Sequence, residues 1–127
     1  MTTIFGILNI TEDSFSDGGK FLDPVAAETQ ARLLMTRGSH ALDLGAASSN
    51  PNAKPVAPDV EIARLSSMVA LARKENWRVS VDSFAPETQE WACAEDVAYV
   101  NDIRGFPEAR VYPALARSRA KLIVMHS

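Results

Sequence analysis

Residues 4–24 read IFGILNITEDSFSDGGKFLDP. Ile4–Leu8 is a short continuous apolar run, and Asn9 is a polar residue at its tip. The first helix signal, Asp23–Pro24, comes only after a stretch rich in acids and hydroxyls. Links from a strand to the next helix usually take about 2–6 residues, and Ile10–Leu22 is roughly twice that. Phe15 and Phe21 stand there among Asp13, Ser14, Ser16 and Asp17, beside Gly18 and Gly19. That composition suits a lid that closes over something small and polar.

The same unit recurs. Ile4–Leu8, Ala41–Leu44, Val79–Val81, Ala98–Val100 and Lys121–Met125 are short apolar runs without alternation, as expected of strands covered on both faces. Helical patterns separate them. Asp23–Pro24 supplies an N-cap and a proline at the first helical position; Val25, Ala26, Thr29, Leu33 and Leu34 then form a stripe that Gly38 ends. Ile62, Leu65, Met68, Val69 and Ala72 give the next stripe, with Asp59 and Glu61 at its start and Arg73 and Lys74 at its end, an order that suits the helix dipole. Pro86 opens a shorter helix with Trp91, Ala92 and Ala94, and a further segment covers Ala109–Ser118, where Pro113 blurs the start. Alternating strands and helices predict a parallel α/β chain with right-handed crossovers.

The totals agree. The chain has 127 residues, 46% hydrophobic and 23% charged, the composition of one ordinary globular domain. A net charge of −3 with no local Lys/Arg cluster argues against nucleic-acid binding. MTTIFGILN lacks a basic leader region, and no apolar run reaches membrane-span length, so no membrane association and a cytoplasmic location are expected. A single cysteine, Cys93, leaves no internal disulfide and no multi-cysteine metal site. GxGxxG, GxxxxGK[ST] and HExxH are all absent.

The loops are lopsided. Helix-to-strand links are tight, whereas Ile10–Leu22 and Gly45–Pro58 are long and lie on the side where parallel α/β folds build their sites. Asn9, Asp43, Asp82, Asn101 with Asp102, and His126 sit at or near the carboxyl ends of their runs. Asp82 follows a buried β-branched run, and a carboxylate there needs partners. Two adjacent N–H donors on a flat heterocycle would satisfy both its oxygens; a cap on the next helix or a buried arginine would serve as well. Asn101 could read another edge of the same ring or serve a neighbouring strand. Asn9 offers a neutral oxygen of the kind magnesium takes beside waters and phosphate oxygens, or it forms the turn before the loop. Asp43 reads as one residue too deep and bonded to a neighbouring strand, Asp102 as outward-facing or a local cap. His40 falls on the opposite face, Cys93 reads as packing, and Met125 as core or as a cover for a bound ring.

Taken together, FGILNITEDSFSDGG, ALDLGAASSNP, VSVDS, YVNDIRGF and LIVMHS resemble the segments of dihydropteroate synthase, over essentially the whole chain. The resemblance implies a parallel (β/α)8 TIM barrel, of which residues 1–127 form the N-terminal portion of a single pterin-binding domain with about the first five strands. It implies a transferase of folate biosynthesis that joins p-aminobenzoate to 6-hydroxymethyl-7,8-dihydropterin pyrophosphate, using Mg2+, as a homodimer at full length. Carried over by position, Asn9 meets magnesium and the pyrophosphate. Asp82 and Asn101 hold the pterin, with Ile103 and Met125 against its faces. Asp13, Phe15 and Asp17 belong to a first mobile loop with a catalytic role. Ser48, Ser49, Asn50 and Pro51 belong to a second that helps form the p-aminobenzoate pocket. That second loop departs from the usual Gly-Glu-Ser-Thr-Arg-Pro run, and Asn50 lacks the guanidinium of the usual arginine. The variant is similar to the sulfonamide-insensitive synthases carried on mobile elements, which implies sulfonamide resistance.

By the resemblance, the remaining strands would supply a further Asp, a Lys and an Arg/His pair, so the 127-residue chain alone is expected to be inactive and prone to aggregate at its open edges. Two other readings fit the length. One is a flavodoxin-like open sheet, a nucleotide-binding or phospho-receiver domain with Asp43 or Asp82 as magnesium ligand or phosphoacceptor. The other is a non-catalytic barrel remnant.

Overall fold

Every apolar run becomes a strand in a computed structural model that describes residues 2–10, 23–46 and 56–124. The strands are β1 (Phe5–Asn9), β2 (Ala41–Gly45), β3 (Arg78–Asp82), β4 (Tyr99–Asp102) and β5 (Lys121–Val124). Between them lie α1 (Pro24–Thr36), α2 (Pro58–Glu75), α3 (Pro86–Ala94) and, after a 3-10 turn at Ala109–Val111, α4 (Tyr112–Arg117). Local chemistry sets the boundaries. The Asp23 carboxylate accepts from Val25 N–H at 2.9 Å and Pro24 opens α1, while Asn76, in the left-handed conformation at φ 61°, closes α2.

All neighbouring strands are parallel, in the order β1-β2-β3-β4-β5. Right-handed crossovers between consecutive strands put every helix on one side of the sheet. A flavodoxin-like sheet instead runs 2-1-3-4-5 and reverses partway. The consecutive order overturns the flavodoxin-like alternative, and with it the receiver-type roles considered for Asp43 and Asp82.

The sheet is also curved. Phe5 on β1 and Tyr99 on β4 stand three strand spacings apart, about 14 Å in a flat sheet. Their rings nevertheless meet edge to face with centroids 4.9 Å apart. Side chains from β1 and β4 converge in this way only over a concave surface, as in a barrel wall. The convex side carries the core: Leu8, Leu42, Leu44, Val81 and Val100 pack under Ala27, Ala31, Leu65, Met68 and Ala92.

The helical stripes are shifted from their expected phase. On α1 the buried positions are Ala27 and Ala31, with Leu34 and Met35 partly buried, whereas Val25 is 71% exposed and Leu33 is exposed too. On α2 the inward stripe is Glu61, Leu65, Met68, Val69 and Ala72, so Glu61 replaces Ile62. Small residues win on α1 because it lies close to β1. At Gly6, whose missing side chain would face α1, a Cβ would come within 2.6 Å of Ser39 Oγ and 3.0 Å of Leu34 Cβ. Gly6→Ala is therefore expected to destabilise the chain by roughly 1–3 kcal/mol, as overpacking does, measured by urea unfolding with an unchanged denaturant slope.

Candidate functional site

The register places one polar row across the carboxyl ends of the strands. Asn9 pairs with Gly45, Gly45 with Asp82, Asp82 with Asn101, and Asn101 with Ile123. Residues level with one another on adjacent strands project from the same face. Here that is the concave face, because the alternate residues Leu8, Leu44 and Val81 are in the core. Gly45 confirms the proximity: a Cβ there would lie 3.4 Å from Asn9 Oδ1 and 3.9 Å from Asp82 Oδ2. Three expected site residues, Asn9, Asp82 and Asn101, thus share one floor. Asn9 is exposed, and Asp82 and Asn101 are half-buried.

One level deeper, Ile7, Asp43, Ser80, Tyr99 and Lys121 form the next row on the same face. Asp43 is half-buried here, as its depth in the sequence suggested. Burial raises its pKa, while the Ser80 hydroxyl and the Asn101 amide favour its charged form. Its Oδ1 and the Ser80 Oγ are nevertheless buried without a geometrically satisfied hydrogen bond. These two buried polar atoms lie directly beneath the polar row, with hydrogen-bonding capacity that no described residue satisfies in good geometry.

Asp82 carries the clearest electrostatic signal. Burial pushes its pKa from 3.8 to about 6, and the charges of Asp43, Asp102 and Glu61 push the same way. No arginine or lysine among the described residues offsets them. Because the folded value lies above the unfolded one, the folded chain keeps this proton longer, so the contribution of Asp82 to stability is full below 3.8 and is lost as pH rises through about 6. A carbon-detected NMR titration of the Asp82 carboxyl is expected to show a midpoint near pH 6; an ordinary carboxylate midpoint would contradict that burial.

Ile103 lies just beyond β4 at the rim and is 44% exposed. Beside it the Arg104 guanidinium stacks 3.8 Å from the Phe84 ring, linking the segments that follow β3 and β4. Arg64 on α2 donates to the Ala46 carbonyl at 3.0 Å and fixes the end of β2. His40, exposed at the opposite end of the sheet, accepts from Ile4 N–H at 2.8 Å, a structural contact. The expectations for Asp13, Phe15, Asp17, Ser48, Ser49, Asn50, Pro51, Met125 and His126 lie outside the described residues.

Of the two readings of Asp102, the outward-facing one falls and the local cap holds. Asp102 is 1% exposed and does not face outward. It is a local cap, accepting from Arg104 N–H at 2.7 Å and Phe106 N–H at 3.1 Å, and it also accepts from Gln89 Nε2 at 2.9 Å. The buried polar set of Glu61, Ser83, Thr88 and Gln89 was not recognised from the sequence. A signal existed for Glu61, which occupies the i−4 place ahead of Leu65 on the apolar face of α2.

A cation has few protein ligands among the described residues. Among the described residues there is no group of three or more His, Cys, Asp or Glu able to hold a metal. The exposed Asn9 amide oxygen, beside the space that Gly45 leaves, is a donor of the kind a magnesium–phosphate complex takes. No described helix is long and apolar enough to cross a membrane.

Residues 5–127 of this consecutive parallel βα wall match the family model described as "Pterin binding enzyme", and the chain belongs to that family. Within it, the chain is 57% identical over 124 residues to the dihydropteroate synthase type-2 of Escherichia coli, covering 98% of this chain and 46% of that protein. Two dihydropteroate synthase crystal structures are similar. That of Anaplasma phagocytophilum, with bound 6-hydroxymethylpterin-monophosphate, aligns at TM-score 0.81 and 38% identity over 98% of this chain and 48% of that one. That of Yersinia pestis, in a sulfonamide drug complex, aligns at TM-score 0.85 and 30% identity over 98% of this chain and 46% of that one. The chain spans about half the length of the relatives it matches.

Proposed function

We propose that this chain supplies the pterin-binding wall of a dihydropteroate synthase. The observation that carries the proposal is the row Asn9–Gly45–Asp82–Asn101 on the concave face, with a glycine gap between the first and third members. In the reaction, the amine nitrogen of p-aminobenzoate forms a bond to the methylene carbon of 6-hydroxymethyl-7,8-dihydropterin pyrophosphate. The carbon–oxygen bond to pyrophosphate breaks, and the amine loses a proton. Ionised Asp82 accepts two neighbouring N–H groups of the pterin, and Asn101 donates and accepts at another edge. Ile103 lies against a ring face, and the family resemblance assigns Met125 the same kind of contact. Asn9 would offer its amide oxygen at the pyrophosphate end as a protein ligand for Mg2+, a role that fits a neutral exposed residue with no cluster of three or more His, Cys, Asp or Glu among the described residues. Magnesium, when bound, neutralises the leaving pyrophosphate. The loops bearing Asp13, Phe15 and Asp17, and Ser48, Ser49, Asn50 and Pro51, complete the p-aminobenzoate side and exclude water from the cation-like methylene. No covalent enzyme nucleophile is required.

Further elements of the proposal rest on the family resemblance: a homodimeric full-length enzyme, a cytoplasmic location, and reduced sulfonamide sensitivity from the Ala46–Pro51 sequence that stands where Gly-Glu-Ser-Thr-Arg-Pro is usual. The test is to join residues 1–127 to the C-terminal remainder of the Escherichia coli type-2 relative and assay this completed barrel. It is expected to release pyrophosphate only when both substrates are present, and the 127-residue chain alone is expected not to. A folded completed barrel that binds no pterin would overturn the proposal in favour of a non-catalytic remnant.

A further inference from the structure

Behind the proposed pterin floor, on the convex side of the sheet, runs a second polar system. Ser83 follows Asp82 and Asp102 follows Asn101, so each belongs to the face opposite its recognition neighbour. Gln89 on α3 joins them: its Nε2 donates to the Ser83 carbonyl at 2.7 Å and to Asp102 Oδ2 at 2.9 Å. Ser83 N–H in turn donates to the Asn101 carbonyl at 3.1 Å. At the far end Glu61 Oε1 accepts from Ser83 Oγ at 3.0 Å and from Thr88 Oγ1 at 2.9 Å. All five side chains are at most 4% exposed.

This arrangement is an expensive way to fill a core. Buried polar groups cost free energy unless every partner is present, and apolar packing of the same volume is often as stable. What the network holds is a turn that would not hold itself. Asp102 takes the amides of Arg104 and Phe106, and between and at them the backbone is left-handed, with φ of 73° at Gly105 and 57° at Phe106. A bulky aromatic adopts that conformation only when its surroundings fix it. The turn begins at Ile103, directly after Asn101 and Asp102.

We infer that Gln89 and Asp102, braced through Ser83 by Glu61, are positioning residues for pterin recognition: they fix the ends of β3 and β4 so that Asp82, Asn101 and Ile103 meet the ring together. The inference rests on the functional reading above and adds residues that touch no substrate. A displacement of about 1 Å at the floor is enough to weaken productive binding by as much as a hundredfold. The effect is confined to the pterin, because the p-aminobenzoate side is assigned to other segments.

The experiment is steady-state kinetics on the completed barrel with both substrates varied. Gln89→Met keeps the length of the side chain and removes its donors. It is expected to raise KM for the pterin pyrophosphate about tenfold or more while KM for p-aminobenzoate stays within about twofold. Asp102→Asn keeps the volume and one acceptor oxygen and is expected to shift the same KM by a smaller factor; if Gln89→Met does not fold, this variant decides. A fall in kcat from lost active enzyme with both KM values unchanged, or an equal rise in both, would overturn the inference and leave the network purely structural. An unsubstituted completed barrel without pterin-dependent turnover would instead overturn the functional reading, and the inference with it.

Discussion

Asp82→Asn is expected to weaken binding of a pterin to the completed barrel about a hundredfold while leaving the chain as stable as before, or more so, at neutral pH. The two effects have one origin. A hydrogen bond to a charged group contributes about 1.5–3 kcal/mol, so losing the charge on an acceptor of two N–H groups removes about 3 kcal/mol. Asparagine also turns an N–H2 toward one of the donors. In the empty chain, however, this carboxylate is a liability, pushed up to about 6 by burial and by the charges of Asp43, Asp102 and Glu61. Above that pH the chain holds an ion that no described arginine or lysine offsets, and the neutral amide relieves it. Calorimetric titration and thermal unfolding at pH 7.5 check the two halves; loss of binding accompanied by a lower Tm would make Asp82 a structural residue. In the unsubstituted protein, binding is expected to fade below about pH 6, because protonated Asp82 accepts poorly.

Gly45→Leu is the second large effect. Gly45 lies in the register between Asn9 and Asp82, and its backbone is not left-handed. A Cβ there makes only ordinary contacts, at 3.4 Å to Asn9 Oδ1 and 3.9 Å to Asp82 Oδ2. Alanine is therefore expected to be tolerated by fold and ligand alike. Leucine projects three more carbons into the concavity, where the proposed ligand lies, and is expected to reduce pterin affinity more than a hundredfold, the scale of a few kcal/mol of steric conflict. Since the side chain belongs to the concave face and not to the convex core, Tm is expected to move by only a few degrees. Unimpaired binding by the leucine variant would place the ligand elsewhere.

Much of this was legible in the sequence because parallel strands covered on both faces leave a simple trace. The five continuous runs and the long loops on one side led to the right strands in the right class, and the tips Asn9, Asp82 and Asn101 were found because polarity directly after a buried run is conspicuous. The order of the strands was legible only through the family resemblance, which implied a barrel. Helices between parallel strands are common to barrels and open sheets, and only pairing separates them. The phase of α1 is not legible, because its large apolar residues point to Val25 and Leu33, whereas close approach at Gly6 selects Ala27 and Ala31. The polar brace behind the site was missed for a related reason. Glu61 at the start of a helix reads naturally as a charge favoured by the dipole, and nothing in Ser83, Thr88 or Gln89 alone announces burial. Their hydrogen bonds span separations of 6–27 residues, which a linear reading does not see.

The measurement that bears most directly on the proposed floor is a crystal structure of the completed barrel soaked with 6-hydroxymethylpterin monophosphate. The expected result is the ring lying over Gly45, with two of its N–H groups within about 3 Å of the Asp82 carboxylate, Asn101 at another edge and the phosphate end toward Asn9. A ring bound away from the row Asn9–Gly45–Asp82–Asn101, or bound there with Asp82 turned from it, would contradict the account.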